Sequence, residues 1–330
     1  VFCLQLYRPC RFRETDIPAP GLPGRGHITV RLGCALVCGS DIPYFDGTKP
    51  SMVFPLDAGR PIHECAGEVV QSSSGRFRPG DRVVAMPAED RGLCDVFLAQ
   101  ADKAVQIPDA VDDMATACLI QPLATVLAAG DRLGPVEGQS VTVIGAGPIG
   151  LMLTWLLAER GARPVRVIDP LENRCKQALE LGAREALPLT SAQLATLLRS
   201  GHEPWPRAAV CVEAVGHQPA TVNDALELVE EEGRILVLGV PDQPVYAFDF
   251  NKWFRRNLRM FASVAPDWPV YLGRAARLLA RKPAPLSRLV THRFDMHRAA
   301  EAFALAASKT DAALKVCIRH RRAITAPADS

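Results

Sequence analysis

A chain of 330 residues is long enough for two domains, each with a sizeable core. Hydrophobic residues make up 48% and charged residues 22%, with a formal net charge of +2, which suits a globular enzyme and excludes the basic footprint of a nucleic-acid binder. Ten cysteines are scattered without a C-x-x-C pair, so no disulfide framework is expected, and with no signal-like segment at the front the expected setting is a reducing, cytoplasmic one.

Residues 1 to about 120 are expected to be β-rich. His27 to Leu32 alternates like a strand, and Glu68–Val70 and Arg82–Ala85 are short strands around the turn Pro79-Gly-Asp81. Dense prolines and glycines suit a partly open barrel or an irregular sheet. Two stretches here carry chemistry: Cys38-Gly-Ser-Asp41 and His63-Glu64. A thiolate, an imidazole and a carboxylate are ligand types that zinc takes. Their separation in sequence leaves a metal site unproven by spacing alone, and each residue singly also fits a packing or surface role. Asp112 to Leu133 is expected as a helical connection broken near Pro122.

Val141 to Ile144 is a short β-branched run that suits a buried parallel strand. Gly145, Gly147 and Gly150 then follow at G-x-G-x-x-G spacing, with Pro148 where a helix begins and Ile149 inside its first turn. The first glycine permits the turn, the second lets a pyrophosphate approach the backbone, and the third lets helix and strand pack closely. The helix N-terminus offers N–H groups to the phosphates. Val141 to Ala158 is also the most membrane-like run, but its glycines and proline fit the motif better and no membrane association is expected. Val165 to Asp169 is the next strand, and Asp169 lies 19 residues past Gly150, placed to accept both ribose hydroxyls of an adenosine. That favours NAD over NADP, with Arg174 leaving some room for the latter. The alternative role for Asp169 is to cap the helix that follows.

Strands and helices alternate onward. Candidate strands are Glu185–Leu187, Ala208–Glu213, Arg234–Val240 and Leu258–Ser263; candidate helices include Pro148–Arg160, Leu171–Leu181, Ala192–Arg199, Pro219–Glu231 and Asn251–Arg256. Six strands with crossovers predict a doubly wound α/β parallel sheet in order 3-2-1-4-5-6, with Val215 after the fourth strand and Leu238 and Gly239 in the fifth lining the cofactor crevice. After Trp268 come a helix Val270–Arg281, a strand Leu289–Phe294, a helix Met296–Ala306 and a strand Leu314–Ile318. These fall after a complete nucleotide sheet and are expected to rejoin the first domain. The expected division is 1–122 with 265–320 as a catalytic domain, 123–264 as a cofactor domain, and 321–330 as a disordered tail that includes part of the solvated Arg319-His-Arg-Arg322 cluster.

Together these stretches resemble the zinc-containing medium-chain dehydrogenases, in the sorbitol and threonine dehydrogenase-like branch. Cys38-Gly-Ser-Asp41 is similar to the first-ligand motif, His63-Glu-Cys-Ala-Gly67 to G-H-E-x-x-G, Pro79-Gly-Asp-Arg-Val83 to the following turn, and Gln121-Pro-Leu-Ala124 to E-P-L. Trp268-Pro-Val270 and Leu289-Val-Thr-His-Arg-Phe294 resemble the polyol branch. The resemblance implies a GroES-like barrel beside a Rossmann sheet. It implies one catalytic zinc on Cys38, His63 and Glu64, with Glu64 either a ligand or close behind one and Gln121 a weak further ligand. Asp41 would orient His63, and Ser40 would pass the alcohol proton toward the cofactor ribose. The implied reaction moves hydride between a secondary alcohol (a polyol, cyclitol, sugar or amino alcohol) and NAD, the zinc acting as a Lewis acid. A homodimer or homotetramer is implied as well.

Several residues depart from the pattern. Gln121 stands where the branch has glutamate, Ile62 replaces the glycine of G-H-E, and Pro43 takes the place of a relay histidine. The segment Met86–Leu98 holds only Cys94, so no structural zinc is expected. Ala262 and Ser263 are smaller than the groups sorbitol dehydrogenases place there, which argues against sorbitol itself. Tyr44 is a candidate for the substrate cleft, His292 for a structural role, and Cys65 and Cys118 for core thiols. Two other readings compete on the same scaffold: a zinc-independent enone or quinone reductase, and a non-catalytic NAD-binding protein.

Overall fold

The computed structural model describes residues 1–202 and 204–320. The expected tail at 321–330, and with it part of the basic cluster, lies outside the described residues. The chain divides into two compact units, Val1–Ala124 with the described residues from Asp267 onward, and Thr125–Pro266.

The first unit opens with an antiparallel hairpin, β1 (Phe2–Arg8) and β2 (Arg11–Asp16). β3 (His27–Leu36) follows, then the short helix α1 (Ile42–Asp46) and three further strands, β4 (Glu64–Ser72), β5 (Arg82–Pro87) and β6 (Val96–Gln106). β3 pairs antiparallel with β4 on one side and β6 on the other, and β5 joins β4 to β6. The partly open barrel therefore closes into a ring. Its inside is filled by alternating residues such as Ile28, Val30, Val69, Val83, Phe97 and Ala99, all buried in one cluster.

α2 (Met114–Cys118) and α3 (Ile120–Leu133) form the helical connection. Asp113 caps α2 by accepting from the Thr116 amide at 3.0 Å. The break falls at Leu119 rather than near Pro122. Pro122 sits in the first turn of α3, where a missing N–H forfeits no helical bond. Among the described residues Met114–Leu133, rather than Val141–Ala158, is the stretch long and apolar enough to cross a membrane; 78% of its most apolar 18-residue window is buried inside the protein, as befits core helices.

In the second unit the order is β7 (Val141–Ile144), α4 (Pro148–Glu159), β8 (Val165–Ile168), α5 (Glu172–Glu180), β9 (Glu185–Leu187), α6 (Ser191–Arg199), β10 (Ala208–Glu213), α7 (Ala220–Leu228), β11 (Val229–Val237), α8 (Phe250–Arg255) and β12 (Arg259–Ala262). The strands pair in parallel as β9-β8-β7-β10-β11-β12, the doubly wound order expected. α7 is shorter than its sequence suggests: the strand begins at Val229, and the glutamates 230–232 lie exposed on it. Val229 pairs with Ala208 and Arg234 with Val210, so the acidic run bulges out between the two pairings, with Glu232 at φ 59°.

The chain then adds α9 (Trp268–Arg281), α10 (Pro283–Ser287), β13 (Val290–Asp295), α11 (Ala299–Ser308) and β14 (Lys315–Arg319). A short 3-10 turn, Met296–Arg298, replaces the front of the expected last helix. β14 lies between β13 and β3, so this segment returns to the sheet of the first unit.

One cysteine expectation is corrected. Cys3 and Cys94 are joined by a disulfide across 91 residues of sequence, where the Leu4 amide donates to the Leu93 carbonyl at 2.9 Å. A bridge between two stretches so far apart in sequence leaves no trace in local spacing.

Candidate functional site

β3 ends at Leu36, and the chain turns through a 3-10 element, Gly39–Asp41, with Cys38 just before it. The turn aims Asp41 back at its own start: one carboxylate oxygen accepts from the Cys38 amide at 2.9 Å. The other lies 3.0 Å from His63 Nδ1. Asp41 is buried, so this one side chain fixes both the Cys38 loop and the His63 ring. It also sets the tautomer, leaving Nε2 of His63 for a cation. Burial works against a charged His63, but the Asp41 carboxylate and the Cys38 sulfur outweigh it and hold its pKa well above the ordinary histidine value. Cation binding there must displace a proton.

Glu64 begins β4 directly after His63. The ligand atoms of Cys38, His63 and Glu64 lie within 4.8 Å of one another. A thiol, an imidazole and a carboxylate converging at that spacing form a donor set that fits zinc. Ser40 sits half-buried on the same turn, and Gln121 is buried in the first turn of α3.

The sequence reading did not anticipate Lys315. It stands on β14, 2% exposed, with its Nζ 2.5 and 2.6 Å from the two oxygens of Glu64, itself 1% exposed. The carboxylate that completes the donor set is thus held by a buried ammonium. A lysine inside the apolar run Leu314–Ile318 was the available signal, because a charge facing inward from a strand must be paired.

In the second unit the glycine turn behaves as its spacing implies. Gly145 has φ +94°, and a Cβ at Gly150 would fall 1.9 Å from the Gly145 carbonyl oxygen. Gly147 is different: a Cβ there would meet nothing nearer than Arg174 Nη1 at 3.9 Å, which leaves the backbone open to a ligand. Pro148 opens α4, Ile149 lies in its first turn, and Gly150 to Leu157 are buried. Asp169 ends β8 with its carboxylate already engaged: Oδ2 accepts from Ala146 N at 2.8 Å and Oδ1 from Leu171 N at 2.9 Å. Arg174 Nη1 lies 3.9 Å from the same carboxylate.

Glu213 was expected only as the end of a strand, yet it gathers two loops. Its buried carboxylate accepts from the amides of Val215 at 3.0 Å and Gly216 at 3.2 Å, from the Thr221 hydroxyl at 3.0 Å and from the Gly239 amide at 3.1 Å. The stretches carrying Val215, Leu238 and Gly239 are therefore tied together by one side chain. Beside them His217, at φ 57°, is hydrogen-bonded through Nδ1 to the Asp242 carboxylate.

Residues 24–118 match the alcohol dehydrogenase GroES-like domain family, and residues 148–281 match the zinc-binding dehydrogenase family. The chain belongs to the zinc-containing medium-chain alcohol dehydrogenases. Sorbitol dehydrogenase of Gallus gallus is 28% identical over 331 residues, covering 90% of this chain and 91% of the relative. Sorbitol dehydrogenase of Homo sapiens is 27% identical over 338 residues, 91% of each. Among solved structures, an alcohol dehydrogenase from Thermus sp. ATN1 superposes with a TM-score of 0.82 at 24% identity, over 97% of this chain and 100% of that one. Galactitol-1-phosphate dehydrogenase from Escherichia coli gives 0.79 at 21% identity, again over 97% and 100%. As a medium-chain alcohol dehydrogenase the chain is an oxidoreductase, and membership implies a zinc ion and a nicotinamide cofactor.

Proposed function

We propose that this chain oxidises a secondary alcohol on a polyol-like substrate, or reduces the matching ketone, with NAD and one catalytic zinc. The observation that carries this reading is the convergence of Cys38, His63 and Glu64, with Asp41 holding the first two. When bound there, zinc supplies the Lewis acidity that makes an alcohol hydroxyl acidic at neutral pH. Asp41 keeps His63 oriented through Nδ1, and Lys315 holds the Glu64 carboxylate ready on the same cluster. Ser40, on the same turn as Asp41, would accept and pass a proton, and with Pro43 where the branch has histidine, the proton would leave by another route. Glu213 takes the amides of 215, 216 and 239 for itself and so fixes the backbone of both loops beside the cofactor crevice. The negative charge of Asp169 at the end of β8 favours the ribose hydroxyls of NAD over a 2′-phosphate.

The curated relatives are named for sorbitol. The small side chains of Ala262 and Ser263 support a different alcohol of the same class. A homo-oligomer is part of this reading. β12 is an edge strand of the second unit's sheet, and Phe250, Phe254 and Val264 are 62%, 67% and 72% exposed near it. Light scattering on the purified protein measures that state directly.

The central test is metal content by elemental analysis, alongside an NAD-linked screen of secondary alcohols. One zinc per chain is expected, with both metal and turnover lost in Cys38→Ser. If that variant keeps full turnover, or activity survives metal removal with an activated alkene as acceptor, the reading fails. Tight NAD binding with no turnover on any alcohol would point instead to a binding protein.

A further inference from the structure

Two cations sit against one ring in the first unit. Lys49 Nζ lies 4.1 Å from the centroid of Tyr44, and Arg60 Cζ lies 5.4 Å from it. Their positions are set by backbone. α1 carries Tyr44 six residues after Cys38, and the chain reverses at Gly47, φ +80°, so that the Lys49 amide donates to the Pro43 carbonyl at 3.0 Å. Arg60 approaches from the other loop, three residues before His63, its own amide donating to Asp57 O at 3.2 Å. The two loops that deliver the metal donors therefore also deliver this cation pair. Three residues of chain reach at most about 11 Å, so Arg60 is within a small molecule's length of His63.

The pair lacks a counter-charge. Among the described residues neither Lys49 nor Arg60 forms an ion pair with a carboxylate, and Arg60 Nε is buried with no hydrogen-bond acceptor. Two like charges gathered on one ring repel, and a buried N–H without an acceptor is costly to desolvate. The ring face offsets part of this through cation–π attraction, but it supplies no acceptor for Nε. A guanidinium fork and a point charge side by side suit the oxygens of a phosphate or carboxylate.

We propose that Tyr44, Lys49 and Arg60 form an oxyanion subsite beside the metal donors, and that the natural substrate is a polyol carrying a terminal phosphate or carboxylate. This rests on the dehydrogenase reading given above. The test uses the zinc-loaded enzyme with NAD and three alcohols: sorbitol, sorbitol 6-phosphate and gluconate. An anionic substrate is expected to exceed the neutral polyol in kcat/KM by about 10- to 100-fold, the range for one charge-assisted contact. Which anion leads distinguishes phosphate from carboxylate. Arg60→Gln and the exposed Lys49→Gln should each shrink the ratio of anionic to neutral kcat/KM by about tenfold, mostly through KM. Calorimetric titration with inorganic phosphate and with gluconate reads the subsite without turnover. Anion binding that weakens in both variants, with no alcohol turned over, supports the subsite and sinks the dehydrogenase reading. A ratio near one that neither variant changes, or loss of NAD affinity in the variants with anion binding intact, overturns the subsite and leaves that reading standing.

Discussion

Replacing Lys315 by methionine isolates the buried pair that the metal cluster depends on. With Nζ at 2.5 and 2.6 Å from the Glu64 oxygens, the gross attraction at an effective dielectric of 20 is about 6 kcal/mol. Desolvating both ions costs several kcal/mol each, so the intact pair contributes little net stability. Removing only the lysine leaves a carboxylate that is 1% exposed without compensation, and the zinc-free protein should lose about 3–5 kcal/mol. The double variant Glu64→Gln/Lys315→Met removes the stranded charge and should recover most of that loss. Zinc offers Glu64 a second partner, because its oxygen already lies within 4.8 Å of the Cys38 and His63 donors. Zinc should therefore raise the stability of Lys315→Met by more than it raises that of the unsubstituted protein. Urea unfolding with and without zinc, combined with chelator competition for metal affinity, measures both quantities. A loss under about 1 kcal/mol in the zinc-free single variant, or a double variant as unstable as the single one, would refute the reasoning.

The remaining predictions concern three other places. Gly150→Ala puts a methyl carbon 1.9 Å from a carbonyl oxygen and should lower the melting temperature outright, whereas Gly147→Val, whose Cβ meets only Arg174 Nη1 at 3.9 Å, should fold normally and lose NAD affinity in a fluorescence titration. Glu213→Ala removes the acceptor shared by Val215, Gly216, Thr221 and Gly239, so NAD affinity should fall at least tenfold, with calorimetry as the check. Burial opposes ionisation of Asp113, but the Arg293 guanidinium and Thr116 overcome it and bring its pKa down to about 2. A depressed carboxylate stabilises the fold above its ordinary pKa and loses that contribution as pH falls toward 2, so Asp113→Asn should flatten the decline in stability between about pH 4 and 2. The effect should stay under about 1 kcal/mol, because the Asp113 and Arg293 side chains are 43% and 40% exposed.

What could be read from residues alone was local. The glycine turn at 145–150, the strand–helix alternation after it and the resulting sheet order all follow from periodicity and from what glycine permits. The cluster of Cys38, His63 and Glu64 is legible by residue type, and Asp41 by its place in the same motif. What escaped was made by contacts between distant stretches. Lys315 meets Glu64 across 251 residues, and Cys3 meets Cys94 across 91. The closure of the barrel depends on β3 pairing with two strands at once, which no pattern within β3 announces. The early start of β11 shows the same thing in reverse: three glutamates favour a helix locally, yet they bulge from the strand between its pairings at Val229 and Arg234.

Asp169 shows why two readings of one residue need not compete. From sequence it was either a ribose acceptor or the cap of the following helix. In the structure Oδ1 takes the Leu171 amide ahead of α5, and Oδ2 takes the Ala146 amide inside the glycine turn. An ionised carboxylate has about four acceptor positions, so these two bonds leave one on each oxygen. They also fix the plane of the group and bind the end of β8 to the turn after β7. In the proposed reading Asp169 discriminates between ribose and its 2′-phosphate, and these bonds would orient it before any cofactor arrives, the capping bond being part of that orientation. Glu213 repeats the arrangement at the end of β10, where one carboxylate fixes the backbone of two loops. At both strand ends the buried acid fixes the backbone around it, so a cofactor bound there, as proposed, would meet a surface whose polar groups are already set.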